Sequence, residues 1–371
     1  MTDGAGAGAD LAGLRVLALV PNLRGWAPGQ RTTIEAWEPM LRTHGISVDY
    51  SEFETPALHD VLYGPGRYAA KAFELTRAFA RRAGVVRRGF EGYDVVYLYR
   101  EAALAGPALL ERVVARNGPP IVYELDDPLH VPYSSAFNGP LARLKFRGKV
   151  ATICRLSSAV IANSTPIRRW VEQHNSNVWQ IPSVVDERDY TPVAAPRRDR
   201  VCVGWSGSPS TAPNLSVVAD ALVELQRRVD VEIHLIGHDR FDLPGVDFTF
   251  QRWQAETEVA DLRRLDIGMV PLPDVPWNHH KFYLKAAQYM ALGIVPVATP
   301  MGNIPEDIQP GRNGFTASTT EEWVDHLERL VVDEPLRAAL SAQAAADAAE
   351  RYTVAANEDK ILGAFRSALR R

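Results

Sequence analysis

Short apolar runs alternate with helical patterns along most of this chain. The first run, LRVLALVP from Leu14 to Pro21, is rich in branched side chains and ends at a Pro-Asn pair. The series continues at 46–53, 93–99, 120–125, 158–163 and 177–182. Apolar runs of this length, separated by helices, are typical of strands buried on both faces of a parallel sheet. The first half of the chain is therefore predicted to be an α/β domain.

A polar, proline-rich stretch at 186–200 interrupts the alternation, which then begins again. The second series of apolar runs lies at 201–207, 231–237, 247–251, 266–272 and 295–299. Two series of one type predict two Rossmann-like domains facing a central cleft, with ligands at the carboxyl ends of the strands. We place a disordered tail at 1–13, an N-terminal domain at 14–195, a C-terminal domain at 196–345, and terminal helices that pack back towards the N-terminal domain at 346–371.

The composition of the 371 residues excludes several classes of protein. With 46% hydrophobic and 23% charged residues, the chain is neither mainly disordered, nor collagen-like, nor a coiled coil. A net charge of −4 provides no general attraction for nucleic acid. The two cysteines, Cys154 and Cys202, lie in apolar runs and are predicted to be buried thiols, not part of a disulfide framework or a thiolate zinc site.

The N-terminus lacks the basic start and apolar stretch of a secretory signal, and no run reaches the roughly 20 apolar residues that cross a bilayer. We therefore expect a cytoplasmic protein. One stretch, 67–88, carries seven basic residues and a single acid, Glu74. It is predicted to contact an anionic membrane, such as the inner face of the cell membrane, or an anionic acceptor, or else to be a solvated helix face.

The segment 277–315 carries the clearest chemical pattern of the chain. His280, Lys281 and Phe282 precede or open a predicted helix, whose free amides and positive dipole end suit an anion. Lys281 and Lys285 are four residues apart and would share one face of that helix. The pattern indicates a diphosphate site, and the alternative is a solvated first turn over a core helix.

Two glycine-containing turns are further candidates for ligand contact. The turn GWSGSPST follows a predicted strand, and Ser206, Gly207 and Ser208 are predicted either to approach a phosphate or only to cap the next helix. The loop RGWAPGQR follows the first strand of the chain. Its Gly29 and Arg31 are predicted to line the side of the cleft that receives an acceptor.

Several of these segments occur in an order that resembles the family 4 retaining glycosyltransferases. In the second half the order is GWSGSPST, VEIHLIG, DIGMVPLPD and KFYLKAAQYMALGIVPVATPMGNIPEDIQPGRNGF; in the first half it is PIVYELDD, SSAVIANSTPIRRWVEQH and VWQIPSVVDERDY. The resemblance covers most of 14–315. It implies the GT-B architecture, a nucleoside diphosphate sugar held mainly by the C-terminal domain, and a small-molecule, glycan or glycolipid acceptor. It also implies transfer with retention of configuration. Preorganised electrostatics can stabilise a departing diphosphate without a bound metal, so we expect no metal or other cofactor.

The resemblance implies roles for individual residues as well. The family's two glutamates, eight positions apart, correspond to His280 and Gln288, so this chain departs from the family pattern there. Gln288 keeps a hydrogen-bonding group for a ribose hydroxyl, whereas His280 cannot replace a carboxylate. The family's basic residues near Ser206 are absent too, and Lys281 and Lys285 are expected to supply the missing charge.

The carboxylates of the implied site come from both halves of the chain. Asp126 corresponds to a family histidine that touches the donor sugar, and Glu306 corresponds to a sugar-binding carboxylate, so both are implied to be catalytic. Gly302 and Asn303 are implied to form a phosphate loop. The alternative for that loop is a plain helix start, with Pro305 first and acids in the first turn.

Other interpretations of these residues stay open. Asp127 and His130 are expected on the acceptor side, but an Asp-Asp pair also suits a turn after a strand or a metal site. The pair His279 and His280 could belong to a zinc site, but no third ligand lies at a recognisable spacing. The alternative functions are a sugar-nucleotide epimerase or hydrolase on the same fold, or a sugar-nucleotide-binding protein without activity.

Overall fold

The computed structural model describes residues 11–62, 66–132, 146, 148–192, 199–237 and 241–370. These residues form two compact units. The first unit extends to Ser183 and also includes the chain from Asn357 onward, and the second lies within Val184–Ala356. The predicted domain boundary at 195/196 and the first ten residues of the predicted tail lie outside the described residues.

The first unit contains a six-stranded parallel sheet. Its strands are β1 (Arg15–Val20), β2 (Ser47–Glu52), β3 (Val95–Tyr99), β4 (Ile121–Leu125), β5 (Ala159–Ala162) and β6 (Val178–Gln180), in the order β2-β1-β3-β4-β5-β6. Strands β3 and β4 are buried at all five of their positions. Burial on both faces explains why their sequences, VVYLY and IVYEL, are almost continuously apolar.

The second unit contains another six-stranded parallel sheet. Its strands are β7 (Val201–Ser206), β8 (Val231–Gly237), β9 (Thr249–Arg252), β10 (Ile267–Val270), β11 (Val295–Ala298) and β12 (Phe315–Thr316), in the order β12-β11-β10-β7-β8-β9. The order reverses at β7, which pairs with β8 on one side and with β10 on the other. A reversal of this kind marks the usual ligand position in a parallel α/β sheet.

Helices connect these strands and cover the sheets. They are α1 (Pro28–Arg31), α2 (Ile34–Thr43), α3 (Pro56–Leu62), α4 (Tyr68–Arg88), α5 (Leu109–Asn117), α6 (Gly148–Leu156), α7 (Thr165–Val171), α8 (Ala219–Arg228), α9 (Glu258–Leu262), α10 (Leu284–Ala291), α11 (Ile304–Asp307), α12 (Thr320–Val332), α13 (Glu334–Arg351) and α14 (Val354–Leu369). A 3-10 helix at Ala212–Val217 precedes α8. Two α/β units with parallel sheets confirm the predicted fold class.

Aromatic rings and one carboxyl group fill the interior of the first unit. The ring of Tyr97 on β3 lies 6.1 Å from Trp37 of α2, edge to face, and 6.4 Å from Phe365 of α14. Glu124 on β4 is fully buried. Burial, together with the nearby charge of Asp126, raises the pKa of the Glu124 carboxyl well above its ordinary value and so favours its protonated form.

Close packing fixes α10 against the second sheet. Gly268 on β10 lies under the ring of Tyr289, and a Cβ atom at Gly268 would approach that ring to 2.4 Å. Only glycine leaves room for this contact. The first turn of α10 is therefore held at the edge where the strands end.

The two cysteines are free and buried, as predicted. Burial raises the pKa of the Cys154 thiol to about 12, so it is protonated and unreactive at neutral pH. None of the helices in the described ranges is long and apolar enough to cross a lipid bilayer.

Candidate active site

The carboxyl ends of the strands in the second sheet bring the predicted donor-binding residues to one edge. Gly207 and Ser208 follow β7, the loop with Gly302 follows β11, and α10 begins after the long loop that follows β10. Because the sheet is parallel, these turns all lie at the same edge. Ligands in such sheets bind there.

The turn after β7 depends on glycine at position 207. A Cβ atom at Gly207 would lie 2.1 Å from the ring of Trp205, which packs beneath the turn. The Ser208 amide donates to Thr211 Oγ1 over 3.0 Å, and the Ser208 and Ser210 hydroxyl oxygens are 2.9 Å apart. The turn is closed by its own side chains, and its exposed hydroxyl groups are available to donate to an anion.

A hydrogen bond joins this turn to α10. The backbone N–H of Ser206 donates to Tyr289 Oη over 2.9 Å, in a contact that is entirely buried. Ser206, predicted to bind the donor, thus uses its amide within the protein. The bond ties the end of β7 to the helix that carries Lys285.

Lys285 places an ammonium group at this edge of the sheet. It lies in the first turn of α10, half-buried, with Nζ 6.0 Å from the centroid of the Trp205 ring. Burial, and secondarily the positive charge of Lys281, lower the pKa of Lys285 to about 8, while Glu258 opposes that shift. Within the described residues no carboxylate forms an ion pair with Lys285. Its ammonium group is therefore suited to an external anion.

The helix begins later than the sequence indicates. Its first residue is Leu284, so His280, Lys281 and Phe282 all precede it, and the two lysines do not share a helix face. The reason is a tertiary contact, because the Tyr283 amide donates to Asn303 Oδ1 over 2.7 Å. The positive charge of Lys281 still helps to lower the pKa of Lys285.

Phe282 has a different environment from its two neighbours. Its side chain is buried, and its ring lies 5.9 Å from that of Tyr352, at a steep angle. The contact therefore belongs to the core of the second unit. Any contact of Phe282 with a donor would have to come from its backbone.

The loop after β11 packs against the segment before α10. Gly302 has φ of +59°, and a Cβ atom there would lie 2.1 Å from the carbonyl oxygen of Lys281. Both the backbone conformation and the close approach require glycine. Asn303, predicted to contact phosphate, is buried and uses its side chain on Tyr283 and Asp307. Gly302 and Asn303 thus hold the two loops together.

Two adjacent acids on α11 have different surroundings. The side chain of Glu306, predicted to bind sugar, is exposed. Asp307 is buried and contacts Arg351 and Asn303. Burial raises the pKa of Asp307 to about 6, although Arg351 opposes the shift. Glu306 is therefore accessible to a ligand, whereas Asp307 belongs to a buried polar network.

The structure also shows the surroundings of the two residues that replace the family's paired glutamates. Gln288 is buried on α10, and its Nε2 donates to Tyr190 Oη over 2.7 Å. His280 lies in the preceding turn, half-buried, and this burial lowers its pKa, helped by His279. Neither residue supplies negative charge at neutral pH. The edge therefore has more positive charge than a site with two glutamates would have.

Asp126 is the centre of an ionic cluster in the first unit. Its carboxylate accepts from Tyr99 Oη and from Arg100 Nε and Nη2, each over 2.6 Å. Arg100 Nη2 also lies 2.6 Å from Asp127 Oδ2. Burial works against the charge of Arg100, but the two carboxylates outweigh it and raise its pKa above the ordinary value. Asp126 is thus already bonded on both oxygens.

The four residues predicted for the acceptor side lie at different distances from this cluster. A Cβ atom at Gly29 would lie 2.7 Å from Asp126 Oδ2, so the loop after β1 packs directly on the carboxylate. Asp127 is part of the cluster through Arg100. His130 instead stacks on Trp170, with 4.0 Å between ring centroids. Arg31 is the half-buried last residue of α1.

Sequence reasoning missed three residues of these two sites. Arg100 and Tyr99 hold Asp126, and Trp205 lies under both Gly207 and Lys285. The available signal was their position, because each stands at the carboxyl end of a buried strand.

Within the described residues, no group of three His, Cys, Asp or Glu side chains is arranged to hold a metal ion.

Comparison with known proteins relates the chain to glycosyltransferases. The family described as Glycosyl transferases group 1 matches residues 200–333, which include the whole edge around Lys285. A curated relative, the D-inositol 3-phosphate glycosyltransferase of Stackebrandtia nassauensis, is 29% identical over 222 residues. That alignment covers 51% of this chain and 48% of the relative, so the chain spans about half the length of the curated relative it matches.

Solved structures show the fold. HepE of Anabaena in complex with UDP and glucose matches with a TM-score of 0.67 at 18% identity, over 95% of this chain and 100% of that one. Sucrose-phosphate synthase from Thermosynechococcus elongatus matches with a TM-score of 0.68 at 15% identity, over 95% and 98%. A glycosyltransferase from Rickettsia africae matches with a TM-score of 0.68 at 14% identity, over 96% and 99%. The chain therefore has the GT-B fold, and its residues 200–333 carry the sequence pattern of the group 1 glycosyltransferases.

Proposed function

We propose that this protein transfers a sugar from a nucleoside diphosphate sugar to an acceptor hydroxyl. The observation that carries the proposal is the Lys285 ammonium group, half-buried and without an ion-pair partner in the described residues, at the carboxyl edge of the second sheet. Partial burial of the Lys285 ammonium group lowers its pKa and costs folding free energy. Shifted pKa values of this kind are typical of functional sites, including those that bind an anion. The residues that match the glycosyltransferase family surround this group.

The chemistry required is stabilisation of a departing diphosphate. Lys285, Lys281, the positive end of α10 and the hydroxyl of Ser208 supply positive charge and a donor at one edge. A helix terminus alone contributes about 0.3–1 kcal/mol, whereas each charge-assisted hydrogen bond adds about 1.5–3 kcal/mol. The two lysines are therefore expected to contribute more to leaving-group stabilisation than the helix dipole.

The donor and the stereochemistry belong to the proposal as well. HepE is known in complex with UDP and glucose and with UDP-glucose, and the curated relative is a glycosyltransferase. These relatives support a nucleoside diphosphate sugar as donor here. We propose retention of configuration because the segment order resembles retaining enzymes. Glu306 is proposed to accept hydrogen bonds from the sugar. The implied catalytic role of Asp126 and the acceptor-side role of Gly29 and Arg31 stay predictions.

Binding measurements on Lys285 variants test the proposal. Nucleoside diphosphates with different bases are titrated into the wild type, Lys285→Ala, Lys285→Arg and a control, Lys360→Ala, which removes an exposed lysine of α14. Loss of one charge-assisted bond predicts about 10-fold to 100-fold weaker binding for Lys285→Ala. Lys360→Ala is expected to bind as the wild type does. Equal affinities for all four proteins would contradict the assignment.

Product analysis distinguishes transfer from the alternatives. His280 and Gln288 stand where paired glutamates are expected, and this departure keeps an inactive sugar-nucleotide binder under consideration. The wild type is incubated with donor alone and with donor plus a mixture of hydroxylic acceptors. Conversion of the donor without acceptor would indicate an epimerase or hydrolase, and tight binding without any product would indicate a non-catalytic binder. Proton NMR of the transferred sugar then reads its anomeric configuration.

A further inference from the structure

The helix α4 has one face that no part of the described protein covers. This α4 surface consists of the exposed residues Arg67, Tyr68, Ala69, Ala72, Phe73, Thr76, Arg77, Ala80, Arg81, Ala83, Arg87 and Arg88. It contains five arginines, two aromatic rings and four alanines, and no acid. The whole chain has a net charge of −4, so this positive surface is a local feature.

The basic residues at 67–88 fall into two groups, those that are buried and those that are exposed. Of the seven basic residues at 67–88, only Lys71 and Arg82 are buried. Arg82 donates to the carbonyl oxygens of Val20 and Ser51 over 2.8 and 2.9 Å, so it holds the ends of β1 and β2 together. The five arginines that remain are exposed to solvent. Arg81 donates to the Phe53 carbonyl oxygen and Arg77 pairs with Glu74, but no structural contact of this kind explains the charges of Arg67, Arg87 and Arg88 among the described residues.

Two aromatic side chains of α4 are exposed. Tyr68 is 66% exposed at the start of the helix, and Phe73 is 62% exposed five positions later, about 140° around the helix. Phe73 therefore lies opposite the packed side of α4, which carries the buried residues Lys71 and Arg82. Phe73 lies 5.7 Å from the guanidinium carbon of Arg77. Exposed rings next to arginines suit a surface that is apolar inside and anionic outside.

Acidic groups beside the α4 surface are few. Glu74 is mostly buried and pairs with Arg77 over 3.1 Å. Asp60 of α3 is exposed and lines a groove of about 340 Å³ together with Arg67, Phe73 and Glu74. Glu91, three residues after the end of α4, is exposed as well. The five arginines outnumber these carboxylates, so the surface keeps a positive charge.

We propose that the α4 surface docks on a lipid bilayer that contains anionic headgroups. The arginines would contact headgroup phosphates, and the ring of Phe73, opposite the packed side of α4, would enter the boundary between headgroups and acyl chains. A polyanion such as a charged glycan would use the arginines, but it would leave the Phe73 ring in water. This exposed ring therefore favours the bilayer over a soluble polyanion. Because the surface lies on a single helix of an otherwise folded unit, docking is expected to be peripheral and reversible.

Vesicle sedimentation with matched variants tests this proposal. The full chain is spun with phosphatidylcholine vesicles, with and without phosphatidylglycerol. The aromatic variant is Tyr68→Ser with Phe73→Ser, and its control is Val332→Ser, which removes an apolar side chain of equal exposure, 66%, from α12. The charge variant is Arg77→Gln with Arg87→Gln and Arg88→Gln, and its control is Arg227→Gln on α8. Arg81 is left in place because it donates to the Phe53 carbonyl oxygen.

The proposal predicts a specific set of results. Wild type and both controls sediment with anionic vesicles and not with neutral ones. Each arginine removed weakens vesicle partition about 5-fold, and loss of the two rings weakens it at least about 10-fold. Circular dichroism that matches the wild type shows that the variants are folded. No sedimentation of the wild type, or full sedimentation of the aromatic variant, would overturn the proposal. Retained binding of the aromatic variant to soluble heparin would instead identify a polyanion site.

Discussion

Replacing Arg100 by glutamine is expected to destabilise the first unit because it leaves the Asp126 carboxylate buried without a counter-charge. Two of the three 2.6 Å hydrogen bonds to Asp126 come from Arg100, and Asp126 itself is 5% exposed. Breaking a buried ion pair from one side costs about 3–5 kcal/mol. The Arg100 side chain is 27% exposed, so water can partly replace it, and we expect the lower value, about 3 kcal/mol.

The expected change is large enough for ordinary unfolding experiments. For a unit of about 200 residues, each kcal/mol shifts the melting temperature by about 2–4 °C, so Arg100→Gln is expected to lower it by about 6–12 °C. Differential scanning calorimetry and urea unfolding both measure this change. Arg227→Gln, in an exposed ion pair with Glu224, is the control and is expected to change stability by less than about 0.5 kcal/mol.

A second substitution isolates the cause. If the cost of Arg100→Gln arises from the unpaired carboxylate, adding Asp126→Asn removes that charge and should recover about 1 kcal/mol or more. If the double variant is as unstable as the sum of the two single variants, the two residues act independently and the electrostatic reasoning fails. A loss below about 1 kcal/mol for Arg100→Gln would place the pair among ordinary surface ion pairs and refute the reasoning as well.

Three further predictions concern single side chains. Because the pKa of Lys285 is about 8, affinity for nucleoside diphosphates should fall as the pH rises above 8; calorimetric titration should show this bend in the wild type and not in Lys285→Ala. Burial raises the pKa of Glu124, so above pH about 4.5 the carboxyl releases its proton on unfolding, which favours the unfolded state. Glu124→Gln removes this effect. In urea unfolding the variant should therefore be more stable than the wild type at pH 7.5 but not at pH 4. Tyr289→Phe leaves the buried Ser206 amide without its acceptor and should cost about 1–3 kcal/mol by the same unfolding measurement.

The strands could be predicted from the sequence because burial on both faces leaves a local trace. The run 93–99 contains β3, and the run 266–272 contains β10, each nearly without polar interruption. The strand β12 was missed because it has only two residues, Phe315 and Thr316, too few to show a pattern. Fold class thus followed from local apolar runs, which the parallel topology makes unusually continuous.

The start of α10 could not be predicted, because the residue that determines it lies elsewhere in the chain. Asn303 binds the Tyr283 amide from a loop 20 residues later, and Gly302 packs on the carbonyl oxygen of Lys281. The Asp126 cluster has the same origin. Arg100 is 26 residues away in sequence and reaches Asp126 only because β3 and β4 are adjacent and in register. Neither contact changes the local sequence pattern.

The pair Glu306 and Asp307 shows how much a sequence can say about a site and where its information ends. Both acids lie at the right edge of the second sheet, and α11 has only four residues, so no helical periodicity indicates which acid faces inward. Arg351, more than 40 residues later, makes the choice by pairing with Asp307. Pairing makes Asp307 part of the buried network and leaves Glu306 as an exposed carboxylate at this edge. The implied role of Glu306 in sugar binding stays a prediction, and this geometry is the one that such a role requires.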